Sequence, residues 1–245
     1  MGTGGIVLIL GSGPSVTDCQ AWPRAPFDRI VAINNAWSVR PDWDDLVFPE
    51  DFAPERRPAT CRPGQRLIEA DAFVPAQNRY GGFVFAGATM AFTAGYWALD
   101  ALAPRVMAFL GCDMVYPKTG NTHFYGTGTA DPLRADVTLR DLGAKSARLG
   151  LIAAAQGCAC VNLSLADQSA LLFPRARPDA LAGHAAPPLT AEIDALRWRE
   201  KALGYATPTG RYPAGEASYD IVALDALDLE WRDLWSQHAV NAGDN

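Results

Sequence analysis

The sequence lacks any run approaching the ~20 continuous apolar residues of a membrane helix, so no membrane span is expected. It has no Gly-Lys-Ser/Thr, which excludes a P-loop. No Asp-x-Asp pair stands at the end of an expected strand. The metal clamp of many nucleotide-sugar transferases therefore lacks its usual ligands, and no metal is expected. Basic residues are in the minority: 21 Lys and Arg against 27 Asp and Glu give a net charge of −6. That balance argues against a nucleic-acid partner held through its phosphates. Histidine is scarce, at three in 245 residues. The opening Met1-Gly2-Thr3-Gly4-Gly5 has no basic residue ahead of its strand-length apolar run, so no secretory leader is expected. The five cysteines have no metal-ligand spacing. Cys158 and Cys160 alternate in an apolar run and so share one face of a buried strand. A reducing, cytoplasmic setting is expected.

What is present alternates. Apolar runs at Ile6–Leu10, Arg29–Ile33, 46–48, 105–110 and 158–163 read as strands, with a further one at 82–85. Helical patterns begin near Ser15 and cover 89–102 and 136–156. In the last of these, Leu142, Leu149, Ile152 and Ala153 face inward, and Asp141, Lys145 and Arg148 face water. Residues 53–80, with Pro54, Pro58, Pro63 and Pro75, read as an irregular excursion. After Phe173 the character changes: Pro174, Pro178, Pro187 and Pro188 mark a linker, followed by helices at 191–203 and 224–238. Trp231 and Trp235 share a face of the last helix, for packing onto the core or for a homo-oligomer contact. The organisation expected is a Rossmann-like nucleotide-binding domain over 1–173 and a Pro-rich linker with a helical C-terminal extension over 174–245. Its fold class is α/β, doubly wound, with a mostly parallel sheet and helices on both faces.

In such sheets ligands bind beyond the carboxyl ends of the strands. That rule collects Gly11-Ser12-Gly13-Pro14-Ser15, Asn34-Asn35, Asp51, Gly111-Cys112-Asp113, the loop around His123, and Asn162-Leu163-Ser164. Glycines let backbone approach a phosphate, and a helix behind the turn offers free N–H groups and a positive dipole end. The same glycines also suit a purely structural tight turn. Val16 stands where the dinucleotide fingerprint needs a small residue, and the second strand ends in Asn rather than an acid, so NAD loses ground. Asn34 and Asn35 suit a neutral ribose or base edge, or a turn. Asp113 is a site carboxylate or a loop anchor. His123, flanked by Thr122, Phe124 and Tyr125, is a candidate base, a phosphate donor, or a residue that orders its own loop.

These motifs, in this order, resemble the bacterial sialyltransferases that decorate lipooligosaccharide, and the related Maf-like (motility accessory factor) proteins. The likeness spans roughly residues 5–173. The family opens on a strand and Gly-Asn-Gly-Pro-Ser, matched by Gly11-Ser12-Gly13-Pro14-Ser15. Its second strand ends in an Asn, matched by Asn34. Its Gly-x-Asp-x-Tyr segment is matched by Gly111-Cys112-Asp113 and, one residue late, Tyr116. Its His-Tyr-x-Gly-His segment reads His123-Phe124-Tyr125-Gly126-Thr127, and its closing Asn-Ser region looks like Asn162-Leu163-Ser164. The resemblance implies a nucleotide-sugar donor, CMP-linked in the true sialyltransferases, no further cofactor, and a glycan or other hydroxyl acceptor. Two departures stand out. Ser12 replaces an Asn that in the family meets the nucleotide, and Thr127 occupies the place of the general-base His. Two rivals remain: a non-catalytic nucleotide- or sugar-phosphate-binding protein, and a pyrophosphokinase or nucleotide hydrolase on the same fold.

Overall fold

Strands buried on both faces have no polar side to alternate with, so they read as unbroken apolar runs. Such runs form β1 (Ile6–Leu10), β2 (Arg29–Ile33), β5 (Val106–Leu110) and β6 (Ala159–Asn162). The computed structural model describes residues 4–116, 120–127, 135–186, 192–212 and 218–243. Met1, Gly2, Thr3, Pro187 and Pro188 of the patterns above lie outside them. With β3 (Asp45–Val47) and β4 (Arg66–Ile68), the strands make a six-stranded sheet in the order β4-β3-β2-β1-β5-β6. Every pairing is parallel. The fold is therefore α/β and Rossmann-like, and its order reverses between β1 and β5.

Alternate strand residues enter two cores. Val7, Ile9, Val31, Ile33, Met107 and Phe109 face the long helices: α1 (Ala70–Arg79), α3 (Met90–Leu102) and α4 (Leu142–Ala155). Leu8, Leu10, Ile30, Ala32, Ala108 and Leu110 face a layer of 3₁₀ segments and loops that contributes Val16, Cys19, Ala36 and Trp43. Cys158 and Cys160 share the first face, buried and reduced. Helices thus cover both faces, α-helices on one and 3₁₀ segments on the other.

Three local expectations are corrected. The run at 82–85 is a helical turn, α2 (Phe83–Ala86), set off by Gly82 and Gly87 at φ +85° and +84°. Burial on all sides removes the periodicity that would have separated helix from strand. The stretch 53–80 holds β4 and α1. Pro75 sits inside α1, where its missing N–H frees the Asp71 carbonyl; both residues are exposed, so water can take that carbonyl. Lys145 and Arg148 are not wet: their exposures are 1% and 0%. Two further helices supply the counter-charges: α6 (Ile221–Gly243) packs on α4, and α5 (Glu192–Leu203) packs on α6.

Arg148 donates to both Glu200 oxygens at 2.7 Å and to the Tyr96 hydroxyl at 2.6 Å, while Trp231 Nε1 donates to Glu200 at 2.9 Å. Burial works to lower the Arg148 pKa, but the Glu200 carboxylate and Tyr96 outweigh it and hold the guanidinium charged. Lys145 pairs with Asp228 at 2.7 Å. Trp231 is buried, and Trp235 meets Phe173 edge-on, so both tryptophans pack onto the core. No helix among the described residues is long and apolar enough to cross a membrane.

Candidate functional site

At the β1/β5 reversal the segments that follow the two strands pass to opposite faces of the sheet, where such folds open a crevice. Gly11 and Gly111, the residues after β1 and β5, meet there. Gly11 N–H donates to Leu110 O and Gly13 N–H to Gly111 O, each at 2.8 Å. A Cβ on Gly11 would lie 2.3 Å from the Gly111 oxygen, and one on Gly13 would lie 2.8 Å from it. Gly111, at φ +69°, would place a Cβ 2.8 Å from that of Val16. Backbone approaching backbone is what these three glycines permit. The Gly-x-Gly pattern therefore has a structural cause that is complete without any ligand.

The turn leads into a 3₁₀ helix, Pro14–Ala21, which no side chain caps. Gly11 to Ser15 line a cavity of about 450 Å³, together with Asn34, Asn35, Gly111, Asp113 and His123. The uncapped helix end turns its partial positive charge toward that space. Two side-chain atoms at this cavity stand out, Ser12 Oγ and Asn34 Oδ1. Both are buried and have no hydrogen-bond partner. An orphaned buried polar atom costs roughly 1–3 kcal/mol, which a ligand or water would offset. Asn34 also adopts φ +51° and Met114, another lining residue, φ +53°. That conformation costs Met114 on the order of 1–2 kcal/mol, whereas asparagine adopts it readily.

Asp113 ties three strand ends together. It accepts from Ser15 Oγ at 3.4 Å and from Asn162 Nδ2 at 3.3 Å, and Arg175 approaches to 3.8 Å. Asn162 is itself buried behind the cavity, and its Oδ1 accepts from the Ser164 N–H at 2.9 Å. Asn162 and Ser164 thus support Asp113 from behind rather than lining the cavity. Cys112 does line it, but burial, then the Asp113 charge, hold its thiol well above the usual range, so it stays protonated.

His123 is held in place by its loop. A tight turn closes with two backbone bonds between His123 and Gly126, and Phe124 N–H donates to Ser12 O at 3.0 Å. The imidazole lies between Tyr116 and Tyr125, at ring separations of 5.9 and 5.0 Å. Thr122 Oγ1 is 2.8 Å from Nδ1. If Thr122 accepts a proton bond from Nδ1, Nε2 keeps the lone pair a base needs; if it donates, Nε2 carries the proton and becomes a donor. Thr127 is exposed and outside the cavity, its hydroxyl bonded to Gly120 O at 3.2 Å.

Arg56 escaped the sequence analysis. It lies in the proline-rich stretch and, with Asp113, is the charged residue lining the cavity among the described residues. No spacing or periodicity marked it. Among the described residues no group of three or more His, Cys, Asp or Glu side chains gathers as a metal centre. No protein-family model, curated protein or solved structure matches the chain.

Proposed function

We propose that the protein is a glycosyltransferase-like enzyme, sialyltransferase-like in kind, that takes a nucleotide-activated sugar in the cavity at the β1/β5 reversal. The observation that carries this proposal is the pair of orphaned atoms there, Ser12 Oγ and Asn34 Oδ1, beside an uncapped helix end. The phosphates would meet the helix end, the Ser12 hydroxyl and Arg56, and Asn34 and Asn35 the nucleoside. An amide suits a neutral ribose or base edge because it can both donate and accept. CMP is the nucleotide the family resemblance implies. In the transfer, the acceptor hydroxyl bonds to the anomeric carbon as the sugar–phosphate bond breaks. The nucleotide leaves with the bonding electrons, and His123 Nε2 takes the acceptor proton when Nδ1 donates to Thr122. Asp113 acts as a positioning residue, since Ser15 and Asn162 already engage its oxygens.

A thermal-shift series with CMP, UDP, GDP, ATP and NAD tests the binding. At one hundred times its dissociation constant a ligand adds about 2.7 kcal/mol, or about 5–11 °C for a chain of this size. CMP should give the largest shift and NAD a small one. Zero shift with all five would sink the proposal. A second function is favoured by one observation, the position of Thr127 outside the cavity: a nucleotide- or sugar-phosphate-binding protein without transfer activity. CMP binding without release of CMP from CMP-sialic acid would select it.

A further inference from the structure

A second chamber, about 560 Å³, adjoins the first and shares Asn34, Phe52, Arg56 and Met90 with it. Its far wall comes from Thr209 to Tyr212, well beyond residue 173. That wall is fixed to the core. Tyr212 stacks on Phe83 at 6.0 Å and donates to Asp136 at 2.6 Å, and Asn78 donates to Thr207 O at 3.0 Å. The chamber thus exists only because the C-terminal segment folds back beside α1 and α2.

Three properties define its occupant. The walls are aromatic, with Phe52, Phe73, Phe83 and Tyr212. The charged lining residues balance, Glu50 and Asp51 against Arg56 and Arg211. Thr93 Oγ1, in a residue with no exposed surface, has no partner, and neither has Asn34 Oδ1 at the junction with the first chamber. A neutral molecule with an apolar face and adjacent hydroxyls fits: a pyranose ring lays its C–H face on aromatics while a hydroxyl bonds the orphaned Thr93 Oγ1, leaving Asn34 to the nucleoside. We infer that this second chamber is the acceptor subsite and takes a neutral glycoside. The inference rests on the proposed function and adds where the acceptor sits, what class it belongs to, and what the C-terminal segment contributes. An acceptor seated there reaches the nucleotide sugar past Asn34, the residue both chambers share.

Saturation-transfer NMR on the full chain tests this, with methyl β-D-galactopyranoside and methyl β-D-glucopyranoside as probes, without and with saturating CMP. At least one glycoside should receive saturation, strongest on one ring face, and keep it when CMP is bound. Thr93→Val should weaken that binding about tenfold, the worth of one hydrogen bond, with the melting temperature unchanged or raised because an orphaned hydroxyl is removed. Thr93→Ser should keep the binding. No transfer to either glycoside, transfer that CMP abolishes, or transfer indifferent to Thr93→Val would each overturn the subsite. CMP stabilisation in the same samples separates the two claims. CMP binding without glycoside transfer removes the subsite and leaves the function. Glycoside transfer without CMP binding removes the nucleotide and leaves a sugar site.

Discussion

Ser12→Ala is the sharpest perturbation of the nucleotide site, because the hydroxyl it removes has no partner in the folded chain. A hydroxyl that stabilised the fold would be missed; an orphaned one would not. The unliganded melting temperature should therefore hold or rise, by up to about 4 °C if about 1 kcal/mol of desolvation cost is relieved. Binding should respond in the opposite sense. A hydrogen bond to a charged phosphate is worth about 1.5–3 kcal/mol, so affinity for CMP should fall about 10- to 150-fold. At the CMP concentration that is one hundred times the wild-type dissociation constant, stabilisation drops from about 2.7 to about 0.3–1.4 kcal/mol. The CMP-induced shift then shrinks from about 5–11 °C to about 1–6 °C. Differential scanning fluorimetry and titration calorimetry read both quantities. A variant that melts several degrees lower yet keeps the full CMP shift would refute the reasoning, since the hydroxyl would then serve the fold alone.

His123→Ala should leave CMP affinity nearly unchanged and lower transfer or donor hydrolysis by about 10²–10⁴-fold; if affinity and rate fall together, the imidazole is a phosphate donor already engaged in the ground state. Glu200→Gln should leave the buried Arg148 charge facing an amide donor and cost about 3–5 kcal/mol, or about 6–20 °C by calorimetry. The double change Arg148→Met with Glu200→Leu should recover only part of that loss, because it removes the unpaired charge but leaves the buried Trp231 Nε1–H and Tyr96 hydroxyl without these partners. A single-variant loss below about 1 kcal/mol contradicts the pairing. Of the five free cysteines only Cys61 is exposed, so native alkylation at about pH 8 should modify Cys61 alone by mass spectrometry. Labelling of Cys112 that CMP blocks would show the cavity opening wider than its 4% exposure implies.

What the sequence made legible follows the physics of burial. β1, β2, β5 and β6 are covered on both faces, so each carries an unbroken apolar run that composition alone reveals. β4 has two exposed residues among its three and no such run, and Pro75 disguised α1. Lys145 and Arg148 looked solvated because their partners, Asp228 and Glu200, are 83 and 52 residues away in sequence. No local pattern can announce a counter-charge at that separation. The strand-end rule did place Gly11 to Ser15, Asn34, Asn35, Gly111, Asp113 and His123 around one cavity, because topology rather than residue chemistry decides where strand ends converge. Arg56 and the second chamber depend on the path of loops between elements, for which the sequence has no period.

The Gly-x-Gly turn and the orphaned side chains point in different directions. Each of these glycines answers to a backbone neighbour: Gly11 and Gly13 to the Gly111 carbonyl, and Gly111 to the Gly11 carbonyl at 3.0 Å. Their presence is required by the close approach of the turns that follow β1 and β5 whether or not anything binds, so substituting them tests the fold. Gly13→Val, for instance, would fail for want of space beside Gly111 before any phosphate was involved. Ser12 and Asn34 have no such alibi. Nothing in the chain bonds Ser12 Oγ or Asn34 Oδ1, and both residues line the cavity. Thr93 repeats the pattern one chamber further on. Gln77 Oε1, Asn78 Oδ1 and His238 Nε2 are orphaned too, but they line neither cavity; what sets Ser12, Asn34 and Thr93 apart is that they do, so a ligand there can supply the partner. Ser12, Asn34 and Thr93, rather than the glycines, are therefore where a ligand would find bonds that the chain does not make for itself.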